Sequence, residues 1–184
     1  MKTSFYNMYR DRMNDRYRDH VVKKYWPFII AIRDNLPLDV EMIAEFGCGA
    51  ANISRLLPQD IKHILVDSDP DMLYLADLNM RTTRSDFIVA QYDIVHIDNF
   101  PSVDLIHSHG VLEHFQDDEI RQIIMRQKKI APVLVHYVPS YKYVAPSFGT
   151  ERLMTPEQWD NICHPDEIRS FNDGYDLILI WKRR

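Results

Sequence analysis

The chain has 184 residues, a formal net charge of −5 and an apolar content of 46%. These values fit one globular domain with a sizeable core, and the negative charge argues against a large nucleic-acid-binding surface. No apolar run approaches the roughly 18 residues of a membrane-spanning helix, and the first residues lack the apolar core of a signal peptide. We therefore expect a cytoplasmic protein without a membrane partner.

The N-terminal region, residues 1–37, is predicted to form a helical cap. Its periodic apolar residues recur at spacings of three and four, which places them on one face of a helix over residues 4–25. They are Tyr6, Tyr9, Met13 and Tyr17. Pro27 is expected to end or bend this helix, and a second helical segment should run up to Pro37.

From residue 40 onward, strand and helix patterns alternate. Strands are predicted at residues 41–46, 63–67, 86–92, 103–108 and 131–138, and helices at residues 51–57, 70–80, 117–129 and 155–163. Only about ten residues join the third and fourth strands, which is too few for a crossover helix, so we expect an extended loop there. This alternation predicts an α/β fold with a mostly parallel sheet and helices on both faces.

An antiparallel hairpin is predicted at the end of the chain. Two alternating segments, residues 167–172 and 175–183, flank an Asp-Gly dipeptide, which is the strongest short hairpin signal. We therefore expect residues 1–184 to form a single domain, in which the α/β core spans residues 40–184.

The two cysteines, Cys48 and Cys163, lie far apart in the sequence. They form neither a CxxC zinc pattern nor a disulfide framework. We expect two reduced thiols, and no metal site is predicted.

A glycine turn follows the first predicted strand, in the segment EFGCGAAN. A dinucleotide-binding fingerprint needs a third glycine three residues after Gly49, where this chain has Asn52. Glu45, two residues before Gly47, would repel a pyrophosphate but would attract a cation. The turn therefore indicates a ligand that carries positive charge and no phosphate, and it argues against an NAD-dependent oxidoreductase.

Two further acids follow predicted strands, Asp67 after the second and Asp93 after the third. Parallel α/β sheets bind ligands at the carboxyl ends of their strands. An acid at the end of the second strand can accept hydrogen bonds from both ribose hydroxyls, and one after the third strand can accept from an adenine amino group. With Glu45, these acids predict a site for an adenosine that bears a positive charge.

The segments EFGCGAAN, VDSDPDML, QYDIV and VDLIHSHGVLEHFQDDE together resemble the class I S-adenosylmethionine-dependent methyltransferases. The resemblance spans roughly residues 40–140 and is nearest to the group that contains ubiquinone- and menaquinone-type and small-molecule enzymes. It implies a Rossmann-like, seven-stranded mixed sheet whose last strand is antiparallel. It also implies S-adenosylmethionine as the cofactor.

The resemblance further implies which residues bind this cofactor. They are Glu45, Gly47 and Gly49 around the methionine part, Asp67 at the ribose with Ser68 and Asp69 beside it, Asp93 and Ile94 at the adenine, and Ser108 and His109 near the sulfonium. Ala51 stands where many members have a third glycine. Because its methyl group is small, we expect a slightly altered turn and a retained site.

Three candidate catalytic residues follow the fourth predicted strand: His109, Glu113 and His114. The protein must place a nucleophile in line with the electrophilic methyl group and exclude water. A base is needed only where the acceptor must lose a proton. Glu113 and His114 have the alternative role of orienting this loop, and for His109 a contact with the cofactor is favoured over base catalysis.

The acceptor is expected to be a small molecule. Its candidate walls are the tyrosine face of the cap and the long loop after the fifth strand, which carries Tyr141, Lys142, Tyr143 and Arg152. RNA or protein methylation is an alternative suggested by the basic chain ends, and a non-catalytic, S-adenosylmethionine-binding regulator is another. The oligomeric state is not indicated by the sequence.

Overall fold

A seven-stranded mixed sheet forms the centre of the protein. The computed structural model describes residues 4–83, 86–97, 99–147 and 150–183. The strands are β1 (Met42–Phe46), β2 (Lys62–Asp67), β3 (Phe87–Gln91), β4 (Leu105–His109), β5 (Val133–Pro139), β6 (Glu167–Phe171) and β7 (Asp176–Lys182). Their order is β3-β2-β1-β4-β5-β7-β6. The first five are parallel, and β7 pairs antiparallel with both β5 and β6, which confirms the predicted Rossmann-like sheet and its terminal hairpin.

Five α-helices accompany the sheet in the described part of the chain. They are α1 (Ser4–Asp11), α2 (Asp15–Asp34), α3 (Pro70–Arg81), α4 (Asp117–Ile130) and α5 (Pro156–Cys163). The last of these begins as predicted, because Thr155 accepts a hydrogen bond from the Gln158 N–H and Pro156 occupies the first turn. None of the helices among the described residues is both long and apolar enough to cross a membrane.

The two faces of the sheet are covered by different helices, as the alternation predicted. On one face, Ile43, Leu105 and Val135 pack against the buried side chains of α2. On the opposite face, the strands pack against α4 and α5, where Ile123 and Trp159 are fully buried. The cap helix α2 therefore lies directly on the sheet, whereas α1 packs against α3 through Tyr6, Met72 and Leu75.

The cap differs from the prediction in two respects: the first predicted helix is interrupted, and the second break, at Pro27, does not occur. The first helix ends at Asp11, a second begins after the N-cap residue Asn14, and α2 then continues through Pro27 to Asp34. A proline inside a helix costs about 3 kcal/mol. Burial of the α2 residues Phe28 and Ile29 offsets this cost, because each buried side chain of this size contributes about 1.5–3 kcal/mol.

The helix predicted over residues 51–57 is wrong. The structure has only a single 3-10 turn there, Ser54–Leu56. The backbone has positive φ as far as Ala51, and Pro58 disfavours a helical conformation at the residue before it. Too few residues remain between these points for an α-helix, so β1 and β2 are joined by an extended crossover.

Candidate functional site

Three cavities meet at the carboxyl ends of the parallel strands. The Asp67 cavity has a volume of about 340 Å³ and lies at the ends of β1 and β2. The Tyr143 cavity, about 490 Å³, lies between the cap helices and the ends of β4 and β5. The small Glu45 cavity, about 40 Å³, lies beside the glycine turn. Tyr9 and His109 line all three, so the cavities form one continuous site.

The glycine turn brings the backbone close to the segment that follows β4. Gly47 and Gly49 have φ values of 65° and 51°, in the left-handed region that glycine adopts without strain. A Cβ atom at residue 47 would lie 2.6 Å from Val111 Cγ2. Only a glycine fits there, and the turn therefore presents bare backbone to the Asp67 cavity.

Ala51 keeps the conformation that a third glycine would adopt. Its φ is 54°, and the residue is fully buried. A left-handed alanine costs roughly 1–2 kcal/mol. The turn thus holds Ala51 at some cost in strain, and whether it binds the cofactor as expected stays a prediction.

Asp67 connects the end of β2 to the glycine turn. Its Oδ2 accepts a hydrogen bond from the Gly49 N–H at 2.9 Å, and its Oδ1 accepts one from the Asp69 N–H at 3.0 Å. Burial raises the pKa of Asp67, and these backbone donors oppose that shift. Because each carboxylate oxygen has two lone pairs, both can still accept a ligand hydroxyl.

The other predicted cofactor residues of β2 and β3 also line the Asp67 cavity. Asp69 is the N-cap of α3, where it accepts from the Asp71 N–H at 2.8 Å. Asp93 accepts from the Val95 N–H at 2.9 Å, which lowers the pKa of its carboxyl. The full set that the structure brings together here is Gly47, Gly49, Asp67, Ser68, Asp69, Asp93 and Ile94.

Glu45 is a buried carboxyl group beside the glycine turn. It is 2% exposed, and its Oε2 accepts from the Ser54 N–H at 3.2 Å. Burial raises the pKa of Glu45 to about 7, against the opposing effect of its hydrogen bonds to Ser54. A buried acid with so high a pKa is suited to a cationic group, which would stabilise its ionised form.

The structure does not bring Ser108 to these cavities. Its side chain is 1% exposed, and its Oγ lies 2.7 Å from His136 Nδ1 on β5. Successive strand residues point to opposite faces, so Ser108 and His109 cannot both face the same cavity. The alternation of side chains along the strand was the signal that could have excluded Ser108.

His109 ends β4 and lies where the three cavities join. Its imidazole stacks on the Tyr137 ring at 4.4 Å and meets the edge of Tyr25 at 4.2 Å. Its Nε2 is buried and has no hydrogen-bond partner in the described part of the chain. Burial, together with the nearby charge on Lys24, lowers the pKa of His109 to about 3. The ring is therefore neutral at pH 7.

Glu113 and His114 lie in the 3-10 turn Leu112–His114 that follows β4. Glu113 faces the Tyr143 cavity and is 1% exposed, and burial raises its pKa to about 8. His114 faces the Asp67 cavity, and its Nδ1 lies 2.7 Å from Thr150 Oγ1. Desolvation lowers the pKa of His114. This turn therefore lies between the two cavities.

Of the four loop residues proposed as acceptor contacts, only Tyr143 lines the acceptor-side cavity. Arg152 instead donates to the Phe115 carbonyl and pairs with Asp117 at 2.5 Å. Lys142 donates to the carbonyl of Asp173. Tyr141 is 53% exposed. The side chains of Arg152 and Lys142 therefore hold the loop against the rest of the protein, and that of Tyr141 faces solvent.

Sequence reasoning missed a buried tyrosine–aspartate cluster behind His109. The hydroxyls of Tyr137 and Tyr143 both donate to Asp176 Oδ1, at 2.7 and 2.8 Å. Asp176 is fully buried at the start of β7. Pairing of β5 with β7 creates this cluster, and no local pattern links residues so far apart in the chain.

Comparisons with known proteins agree with this geometry. Residues 43–131 match a family described as a methyltransferase domain, whereas a search of curated protein sequences gave no match. The fold is similar to that of the PH0226 protein from Pyrococcus horikoshii, with a TM-score of 0.74, 12% identity and coverage of 94% of this chain and 93% of that one. It is also similar to an S-adenosylmethionine-dependent methyltransferase from Clostridium acetobutylicum, with a TM-score of 0.67, 15% identity and coverage of 87% and 91%.

A third similar structure is the complex between the Haloferax volcanii Trm112 methyltransferase activator and a methyltransferase, with a TM-score of 0.72, 12% identity and coverage of 100% and 99%. At these low sequence identities the similarity concerns the fold alone. The match to the methyltransferase domain is the evidence that comes from the sequence. Residues 43–131, just under half of the chain, thus match a methyltransferase domain by sequence, and the fold is that of solved S-adenosylmethionine-dependent methyltransferases.

Proposed function

We propose that this protein transfers a methyl group from S-adenosylmethionine to a small-molecule acceptor. The observation that carries the proposal is the junction of the Asp67 and Tyr143 cavities. Tyr9, His109 and Gly110 line both of them. A cofactor held in the first cavity and an acceptor held in the second would therefore meet at His109, in the arrangement that methyl transfer requires.

The residues of the Asp67 cavity suit the cofactor. Asp67 would accept the ribose hydroxyls, with Ser68 and Asp69 beside it, and Asp93 with Ile94 would hold the adenine. The bare backbone at Gly47 and Gly49 lets a ligand approach closely, since a Cβ atom at residue 47 has no room. Glu45 is a buried acid with one backbone N–H donor, and it would be matched by a cationic part of the ligand.

The Tyr143 cavity suits an acidic or aromatic small molecule. Its volume of about 490 Å³ falls within the usual range of ligand pockets, about 300–1,000 Å³. Its lining contains the basic groups of Arg12, His20 and Lys24 among five tyrosines, together with the acids Glu113 and Glu151. A ring of this composition would attract an anion and stack on an aromatic acceptor.

Among the candidate catalytic residues, Glu113 is the best suited to act as a general base. The cofactor supplies an electrophilic methyl group, so the protein has only to orient the acceptor and accept a proton. A base is most effective when its pKa lies near the working pH. Glu113, with a pKa of about 8, meets this condition, whereas His109, with a pKa of about 3, does not. His109 would instead contact the cofactor and the acceptor as a neutral group.

The proposal is tested by incubating the protein with methyl-labelled S-adenosylmethionine and separate small-molecule, RNA and protein fractions of a cell extract. We expect label in a small-molecule product with the wild type and its loss with Asp67→Ala. Label in RNA or protein would favour the alternative acceptors. Tight cofactor binding without labelling in any fraction would favour a regulatory role.

A further inference from the structure

We propose that Glu113, His114 and Glu151 bind a divalent metal cation at the boundary between the Asp67 and Tyr143 cavities. Each of the three residues offers one ligand atom, and these atoms all lie within 4.8 Å of one another. The first two come from the turn after β4, and Glu151 comes from the loop after β5. In the metal-bound protein Glu113 would serve as a ligand and not as a general base, and the site does not depend on the identity of the methyl acceptor.

The buried carboxyl of Glu113 is the strongest indication of a ligand at this site. The residue is 1% exposed, and its Oε2 has no hydrogen-bond partner among the residues that the structure describes. A buried polar atom without a partner is destabilising by about 1–3 kcal/mol, and such atoms are rare in folded proteins. A bound cation would satisfy this oxygen.

The loop that carries Glu151 is fastened to the turn that carries Glu113. The Arg152 N–H donates to the Glu113 carbonyl at 2.9 Å, and the Arg152 side chain binds the Phe115 carbonyl and Asp117. The Glu151 carboxylate is oriented in turn by the Ser147 N–H, which donates to its Oε2 at 2.6 Å. Glu151 is thus held beside Glu113 although 38 residues separate them in the chain.

The imidazole of His114 is oriented in the manner of a metal ligand. Its Nδ1 lies 2.7 Å from Thr150 Oγ1. In the tautomer that donates from Nδ1 to this hydroxyl, Nε2 carries a free lone pair. Metal-binding histidines usually hydrogen-bond through the other ring nitrogen in this way, which holds the ring in place.

The ligand types indicate the class of cation. Carboxylates suit Mg²⁺ and Mn²⁺, and imidazole suits first-row transition metals, so a set of two carboxylates and one imidazole fits Mn²⁺ well. A cation there would also neutralise Glu113 and Glu151, which line the Tyr143 cavity together with the basic groups of Arg12 and Lys24. With the acids neutralised, the cavity would present positive charge to an acceptor oxygen.

The test is a titration of the full-length, EDTA-treated protein with Mn²⁺, in which free Mn²⁺ is measured by electron paramagnetic resonance. We expect one saturable site in the wild type. Glu113→Gln and Glu151→Gln should each weaken binding at least tenfold, because loss of even a group that orients a ligand costs about 10–100-fold in metal affinity. Glu41→Gln is the matched control, since Glu41 is exposed and lies outside the cluster, and it should bind Mn²⁺ like the wild type.

A second measurement guards against misfolding of the variants. Mn²⁺ should raise the midpoint of thermal unfolding of the wild type and of Glu41→Gln, and should raise it less in the two cluster variants. No saturable Mn²⁺ binding by the folded wild type, or equal affinity in all four proteins, would overturn the proposal. Asp67→Ala should lose cofactor affinity and keep Mn²⁺ binding, so failure of the methyl-transfer proposal is distinguishable from failure of this one.

Discussion

His109 and Tyr137 form a stacked pair, with ring centroids 4.4 Å apart and ring planes within 15° of each other. Tyr25 closes the edge of the same imidazole. The stack lies on the side of the sheet that faces α2, and it forms the floor at which the three cavities meet. The rings of Tyr137 and Tyr25 thus enclose the imidazole, whose buried Nε2 has no hydrogen-bond partner among the described residues.

We expect the imidazole of His109 to remain neutral as the pH is lowered from about 8 to about 5, because burial lowers its pKa to about 3. Nitrogen chemical shifts from NMR report the protonation state of each ring, and comparison with His109→Gln identifies the signal of His109. Free imidazole added to the sample serves as the internal control. A titration midpoint near pH 6.5, the ordinary value for histidine, would show that the ring is solvated and could act as a base.

Cofactor binding should release a proton from Glu45 below neutral pH. The pKa of Glu45 is about 7 in the cofactor-free protein, and a cationic ligand beside the carboxylate would lower it. At pH 6 the bound state should release close to one proton, and at pH 8.5 almost none. Calorimetry in two buffers with different ionisation enthalpies measures this number. Glu45→Gln should bind without this release, and equal release by both proteins would assign the proton to another group.

The same carboxyl should make the cofactor-free protein less stable as the pH rises. Folding raises the pKa of Glu45 from 4.5 to about 7, so the folded state binds the proton more tightly than the unfolded state. Its contribution to stability is therefore lost as the pH rises through this interval. Relative to Glu45→Gln, the wild type should have a lower free energy of unfolding at pH 8 than at pH 5, as measured by urea denaturation. A difference of the opposite sign would contradict the burial of this group.

Asp67→Ala should weaken binding of S-adenosylmethionine by about 1–3 kcal/mol, since the ribose hydroxyls would lose their acceptor. Part of this loss will come from the glycine turn, because Asp67 also accepts from the Gly49 N–H. Asp77→Ala is a suitable control, as Asp77 pairs with Arg81 on α3 and lines none of the three cavities. Calorimetric titration measures both affinities. Unchanged binding by Asp67→Ala would remove the ribose assignment.

Local patterns predicted those parts of the fold that depend on neighbouring residues. Apolar runs identified the strands, and the Thr155–Pro156 pair identified the start of α5, because capping acts within one turn. The acids at the strand ends could be predicted from local patterns too, because each follows an apolar run. Parallel strands end at one edge of the sheet, and so Asp67 and Asp93 had to lie near each other once the strands were known.

Features that depend on contacts between distant segments could not be predicted in this way. Pro27 remains inside α2 because the helix buries its apolar face against the sheet, which no pattern around the proline reveals. The position of Glu151 beside Glu113 depends on the hydrogen bonds of Arg152, and the support of His109 depends on Tyr137 from another strand. In each case the local structure is determined by tertiary contacts and not by the propensities of neighbouring residues.

Replacing the two glycines of the turn should have unequal effects. Gly47→Ala and Gly49→Ala both force an alanine to positive φ, at a cost of roughly 1–2 kcal/mol each. At residue 47 the new Cβ would also lie 2.6 Å from Val111 Cγ2, whereas at residue 49 its nearest neighbour would be Tyr9 Cζ at 3.9 Å. We therefore expect Gly47→Ala to reduce the free energy of unfolding more, and Gly47→Val to abolish cofactor binding.

Val111→Ala separates the clash from the backbone strain. In the Gly47→Ala background it should restore part of the lost stability, because it removes the two methyl groups that the new Cβ would meet. In the Gly49→Ala background, Val111→Ala should lower the free energy of unfolding by the same amount as it does in the wild type. Urea denaturation of the wild type, the three single variants and the two double variants forms two double-mutant cycles. Equal coupling of Val111 to both glycines would mean that the glycine turn does not approach the segment after β4 at Gly47.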